Sequence, residues 1–232
     1  MCLGFSMSEQ ARPVTVLTGA TGGLGTALAH ALAHHDLWLL GRDPQKLSEL
    51  CSALPHARGV LLELRQPETF AAVLKDVHPI DNLVHLAGEV HLGRVDEIPL
   101  EVWRTLWEVN VLAAVELTRI CLPSLRSSGG QVLFINSTAG LQANADWSAY
   151  SASKFALKAY SDALRLEEPR LRVQSVFPGR IATPMQQRVR VQEGQPYEPE
   201  RYIQPDTLAQ TLRHLLESPR DSVYQLTVER SG

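Results

Sequence analysis

The chain has 232 residues, 44% of them hydrophobic and 20% charged, a globular balance that excludes a largely disordered polymer. Lys and Arg number 22 against 25 Asp and Glu, a net charge of -3, so the basic excess needed for general nucleic-acid binding is missing. Cys2, Cys51 and Cys121 are odd in number and far apart. That speaks against a disulfide framework or a metal-binding pair and fits a reducing cytoplasm.

Residues 14–17 read as a short β-branched strand, followed at once by Thr18-Gly19-Ala20-Thr21-Gly22-Gly23-Leu24-Gly25. Leu24, Leu28, Ala31 and Leu32 then recur at helical spacing. His30, His34 and His35 fall around the end of that helix. They lack a companion carboxylate motif, so they read as surface residues and no metal is expected. Residues 37–40 form a second buried strand, and Asp43-Pro44 starts a helix as N-cap and first helical residue.

A third strand is expected at 60–64. A helix should open at Gln66-Pro67, with Phe70, Val73, Leu74 and Val77 on one side. Residues 83–86 make a fourth strand ending in Ala87-Gly88. A long helix runs from about 100 to 125, with Trp103 and Trp107 four apart for core or subunit packing. Strands at 132–135, 171–177 and 223–228 alternate with helices at 148–167 and from Pro205 onward.

Strand and helix alternate throughout, which predicts right-handed βαβ units: an α/β, doubly wound parallel sheet with helices on both faces. Residues 1–11 read as an N-terminal extension, open to disorder, and 12–232 as a single domain. The first residues lack the basic start and apolar core of a signal peptide, and no apolar run is long enough to cross a bilayer. Residues 184–204 are polar and Pro-containing, the length of a substrate lid or a disordered insert.

The glycine loop sits in the first βα turn. Glycines there permit positive φ and let a pyrophosphate approach, and the following helix N-terminus offers free N–H groups. No Gly-Lys-Ser/Thr follows, which argues against a P-loop. Tyr150-Ser151-Ala152-Ser153-Lys154 puts a phenol and an ammonium on one helix face. A phenol of pKa about 10 is a poor base at neutral pH, and a nearby ammonium brings that value down.

The spacing of Thr18 to Gly25 resembles that of the short-chain dehydrogenase/reductase family, and the rest of that family's pattern follows in order. Ser137, in Asn136-Ser137-Thr138-Ala139-Gly140, matches the family's catalytic serine, which holds the substrate oxygen. Asn110, Tyr150 and Lys154 match the other three catalytic positions. Pro178-Gly179-Arg180-Ile181-Ala182-Thr183 resembles the segment whose backbone near Ile181 and hydroxyl at Thr183 hold the nicotinamide amide and a phosphate. The resemblance spans roughly residues 12–230. It implies a Rossmann-type NAD(P)-binding catalytic domain and reversible hydride transfer between a nicotinamide and a small carbonyl or alcohol substrate.

It also implies cofactor contacts at Gly19, Thr21, Gly23, Leu24, Gly25, Ala87, Gly88, Tyr150 and Lys154, with Glu63 and Leu64 beside the adenine. Two departures stand out. His85-Leu86 replaces the amide pair common before Ala-Gly, which alters how this strand is pinned, and His85 reads as structural. After the second strand, Leu40-Gly41-Arg42 offers no carboxylate for the ribose hydroxyls, whereas Arg42 suits a 2′-phosphate. NADP is therefore expected over NAD.

The resemblance implies pairing through the two long helices, around residues 100–126 and 148–167, and so a homodimer or homotetramer; ending near the last strand, the chain is expected to miss tetramer contacts that need a long tail. Arg188, Arg190 and Arg201 are placed to attract an acidic group, though such charges are usually solvated. Two alternatives carry less weight: a catalytically idle NADP(H)-sensing or scaffold protein, and a sugar-nucleotide epimerase or dehydratase, whose chains are usually longer.

Overall fold

A computed structural model describes residues 11–220 and 223–230, so the expected N-terminal extension, apart from Ala11, lies outside the described residues. Seven strands pair in parallel: β1 (Val14–Thr18), β2 (Asp36–Gly41), β3 (Ala57–Leu61), β4 (Asn82–His85), β5 (Gln131–Ile135), β6 (Arg172–Pro178) and β7 (Gln225–Val228). Their order is β3-β2-β1-β4-β5-β6-β7. Central strands are apolar on both sides because both faces are covered. Val16 of β1 packs into one core and its neighbour Leu17 into the other.

Helices α1 (Gly23–Ala31), α2 (Pro44–Ser52) and α8 (Pro205–Glu217) bury leucines against one face. The other face takes α3 (Phe70–Val73), α5 (Ala113–Ser128) and α6 (Ser148–Glu167). Leu117, Cys121 and Leu125 of α5 recur every four residues and are buried, the stripe that seats it. The remaining two helices, α4 (Leu100–Trp107) and α7 (Pro184–Gln192), lead into α5 and follow β6. Chain direction across the sheet reverses between β1 and β4. Such a switch point opens a crevice outside the carboxyl ends of the strands.

Several expectations shift. β3 spans 57–61 rather than 60–64: at the sheet edge its register is set by pairing with β2, and Leu61 is left exposed. The helix expected after Gln66 is a 3-10 turn at Pro67–Thr69 and a single α turn. Phe70, Leu74 and Val77 are buried as expected, but Val73 is exposed. The long helix from Leu100 is interrupted by a π-turn at Glu108–Leu112. Residues 184–204 are no open loop. Thr183 caps α7 by accepting from Gln186 N, Pro184 takes its first position, and Ile203 returns the chain to pair with Ile181. His35 is a further correction: it is buried, its Nδ1 2.8 Å from Thr15 Oγ1.

Candidate active site

A cleft of about 900 Å³ opens at the carboxyl ends of the strands. Every residue expected from the sequence to bind or react lines it, except Gly25 and Asn110, which sit one layer behind. Gly19 has φ +67°, and a Cβ there would lie 2.8 Å from Ala87 Cα. The loop backbone therefore rests directly on the strand that ends in Ala87-Gly88. A Cβ on Gly25 would fall 2.1 Å from the Gly19 carbonyl oxygen, so the first turn of α1 is pressed beneath the loop.

Gly22, the N-cap of α1, offers no capping side chain, and Gly23 and Leu24 face the cleft. Free first-turn N–H groups at a positive dipole end suit a phosphate. The strand-end amides missing at His85-Leu86 are replaced from the next strand. Thr18 Oγ1 donates to Val84 O and accepts from Leu86 N (3.0 Å) and Ala87 N (3.2 Å). His85 itself is buried, its Nε2 2.9 Å from Thr118 Oγ1 and its ring stacked on Phe134. Burial holds its pKa down at about 3, so it stays neutral.

At the β2 end of the cleft, Arg42 is largely exposed and its guanidinium lies 3.4 Å from Glu89. Lys46 lines the same mouth, 3.6 Å from Asp43. The Asp43 carboxylate accepts from Gln45 N and Lys46 N, so it caps α2. Glu63 turns back to accept from Arg65 N, and Leu64 adds an apolar wall. Among the described residues the mouth thus carries two cations, Arg42 and Lys46, and three carboxylates, Asp43, Glu63 and Glu89, each engaged by a local donor.

The cleft floor brings Ser137, Tyr150 and Lys154 together. Tyr150 and Lys154 share a face of α6, with Lys154 Nζ 5.8 Å from the Tyr150 ring centroid. Both are buried. Burial pushes the phenol up to about 12, against a hydrogen bond with Ser137 that draws it down. The expected lowering by Lys154 therefore does not dominate. Burial also pushes the Lys154 ammonium down to about 8, while its Nζ donates to Ile135 O at 3.2 Å.

The π-turn accounts for Asn110. It buries the side chain, whose Oδ1 accepts from Glu89 N at 2.8 Å and whose Nδ2 donates to Glu89 O and Ser153 Oγ. Gly88 separates Asn110 from Lys154: a Cβ there would meet Asn110 Oδ1 at 3.3 Å and Lys154 Nζ at 3.6 Å.

Several supports of the site lie outside the residues expected from the sequence. Asn136, next to Ser137, accepts from Ser137 N and donates to Lys154 O, locking the serine to α6. A Cβ on Gly140 would lie 2.6 Å from Asn136 Oδ1, so that packing needs a glycine. Trp147 packs edge-on to Tyr150, and Arg180 lies over the Trp147 ring while pairing with Glu193. An amide beside the serine was a readable signal. The Arg180–Glu193 pair, closed only when α7 folds, was not. Of the three arginines in this region, Arg190 pairs with Glu193 and Arg201 with Glu198. Arg188 lines the cleft without an ion pair among the described residues.

The fold and cleft define a dinucleotide-binding α/β oxidoreductase. The profile described as "short chain dehydrogenase" matches residues 13–194, and the chain belongs to the short-chain dehydrogenase/reductase family. It is thus an NAD(P)-dependent oxidoreductase acting on a CH–OH/C=O group. The uncharacterized oxidoreductase YciK of Escherichia coli K12 is 32% identical over 195 residues, covering 74% of this chain and 75% of that one. The ketoacyl reductase HetN of Nostoc sp. PCC 7120 is 35% identical over 163 residues, covering 66% of this chain and 57% of HetN. An alcohol dehydrogenase from Thermococcus sibiricus, solved with 5-hydroxy-NADP, superimposes with a TM-score of 0.85 at 27% identity, covering 94% of this chain and 96% of that one. Among the described residues no helix is long and apolar enough to cross a membrane.

Proposed function

We propose that this chain is an NADP(H)-preferring carbonyl reductase or alcohol dehydrogenase whose proton chemistry is carried by Tyr150. The supporting observation is the buried meeting of Ser137, Tyr150 and Lys154 at the floor of a cleft that begins at the glycine loop. The chain fits the cofactor: the Gly19–Ala87 contact leaves no room for a side chain, α1 offers uncapped N–H groups, and Arg42 and Lys46 stand at the β2 end. Gly19, Thr21, Gly23 and Leu24 would hold the pyrophosphate, with Gly25 seating them. Arg42 would hold a 2′-phosphate, and Glu63, Leu64, Ala87 and Gly88 would line the adenosine half. Pro178, Gly179, Ile181 and Thr183 would border the nicotinamide, which supplies or accepts the hydride when bound.

In the reducing direction Tyr150 donates its proton to the carbonyl oxygen. A phenol held at about 12 is fully protonated at neutral pH, the state a donor needs. Ser137 steadies the same oxygen through its hydroxyl; Asn136 holds the Ser137 backbone and Ala139 N donates to the hydroxyl oxygen. Lys154 holds a positive charge beside the ring as the phenolate forms. Asn110 and Lys154 flank Gly88 and give proton replacement a polar route.

The preference for NADP rests on Arg42 and Lys46 at the mouth, whose neighbouring carboxylates Asp43, Glu63 and Glu89 are each engaged by a local donor. Residues 184–204 act as the substrate-side wall. Residues 12–232 act as one domain, and pairing through α4–α5 and α6 into a homodimer or homotetramer is supported by exposed Trp107, Leu112 and Phe155.

The test is NADPH and NADH oxidation against aldehydes, ketones, quinones and ketoacyl thioesters, with Tyr150→Phe as the paired variant. Turnover should fall by roughly 10²–10⁴ in that variant while cofactor binding persists. Unchanged turnover would remove Tyr150 from the chemistry, and faster oxidation of NADH would remove the NADP preference.

A further inference from the structure

At the opposite end of the sheet from the cleft, the turn between α1 and β2 carries His34 and His35. There they meet Glu217, the last residue of α8. His34 Nε2 lies 2.8 Å and His35 Nε2 3.8 Å from Glu217 Oε1, and one ligand atom from each of the three residues lies within 4.8 Å of the others. Nothing in the hydride-transfer site uses these groups.

We propose that His34, His35 and Glu217 form a binding site for a zinc-type divalent ion, through the two Nε2 atoms and one carboxylate oxygen, with water completing the set. Two imidazoles and a carboxylate suit a borderline ion and leave one tetrahedral position open. Ligand atoms about 2.1 Å from such an ion stand roughly 3.4 Å apart. Small rotations of the exposed His34 and Glu217 side chains meet that spacing, while the buried His35 stays fixed.

His35 is built as a ligand. Its Nδ1 lies 2.8 Å from Thr15 Oγ1, which itself accepts from Asn82 Nδ2. In the metal-bound form Nδ1–H would donate to Thr15 Oγ1, leaving the Nε2 lone pair for an ion between it and Glu217. This is the hydrogen bond that orients metal-binding imidazoles. Arg213 is the opposing group: its Nε donates to both Glu217 oxygens, at 2.9 and 3.1 Å. A carboxylate has lone pairs for both partners, but the guanidinium competes for its charge. The ion would clamp the α1–β2 turn to the end of α8, so binding should raise thermal stability.

The experiment is zinc titration of chelator-treated, full-length protein by calorimetry, followed by thermal unfolding with and without zinc. Wild-type protein should bind zinc saturably with a rise in Tm. His34→Gln and Glu217→Gln, both surface changes that leave the core intact, should each weaken binding by about tenfold or more. Arg213→Gln should tighten it, an effect that a purely structural ion pair would not produce. His30→Gln, outside the trio, should leave it unchanged. Absence of saturable binding to the wild type, binding that survives both His34→Gln and Glu217→Gln, or weaker binding in Arg213→Gln would overturn the proposal.

Discussion

Replacing His85 with asparagine tests how far burial of imidazoles sets the acid tolerance of this fold. His85 is held at about 3 and His35 at about 4, both by desolvation, against an unfolded value of 6.5. A depressed histidine pKa means the unfolded chain binds more protons between the two values. Its contribution is complete above pH 6.5 and is lost as pH falls toward 4 for His35 and 3 for His85. Between pH 8 and pH 5 each imidazole should remove about 2 kcal/mol of stability, or about 4 kcal/mol together. The shifted carboxylates Asp43, Glu116, Asp162, Glu168 and Glu193 are all lowered, so their losses come at lower pH.

The assay is urea unfolding followed by tryptophan fluorescence at pH 8 and pH 5, with chelator and at one protein concentration. His85→Asn should lower stability at pH 8 through lost stacking on Phe134. Its loss between pH 8 and pH 5 should nevertheless be smaller than the wild type's by about 2 kcal/mol. An identical pH-dependent loss in both proteins would refute the reasoning.

Arg42→Gln should lower the kcat/KM ratio of NADPH to NADH by about tenfold or more, since one charge-assisted hydrogen bond is worth roughly 1.5–3 kcal/mol. Steady-state kinetics with both cofactors reads this. Gly25→Ala should depress the thermal midpoint strongly, because its Cβ would sit 2.1 Å from a carbonyl oxygen. Gly179→Ala, whose Cβ meets nothing closer than 3.7 Å, should leave the midpoint nearly unchanged. Asn136→Ala should lower kcat by about tenfold or more with little change in cofactor affinity, since it frees Ser137 from Lys154 O without touching the cleft mouth. Parallel kcat and Kd measurements separate the two.

Periodicity and local chemistry placed most elements. Ser148–Glu167 appears as a helix with the bounds expected, and Asp43-Pro44 caps α2 through contacts of a few residues' range. The glycine loop and the Tyr–Lys pair were legible as short runs at fixed spacing and the other candidates through the family resemblance, and the fold gathers nearly all of them at one cleft. Edges and interruptions were less legible. The register of β3 is decided by its partner strand, and the π-turn at Asn110 is a backbone device with no residue signature.

By itself, then, the sequence determined a parallel α/β sheet, a glycine loop poised for phosphate and a Tyr–Lys pair four residues apart. These rest on interactions between near neighbours, which hydrophobic period and turn chemistry encode directly. The tertiary structure decided the rest. It buried His35 against Thr15, and it carried Glu217 across 183 positions to His34. It also set the Tyr150 phenol by desolvation rather than by its neighbouring ammonium. Such outcomes depend on which distant segments exclude water from a group, and the packing that excludes it exists only once the sheet has assembled.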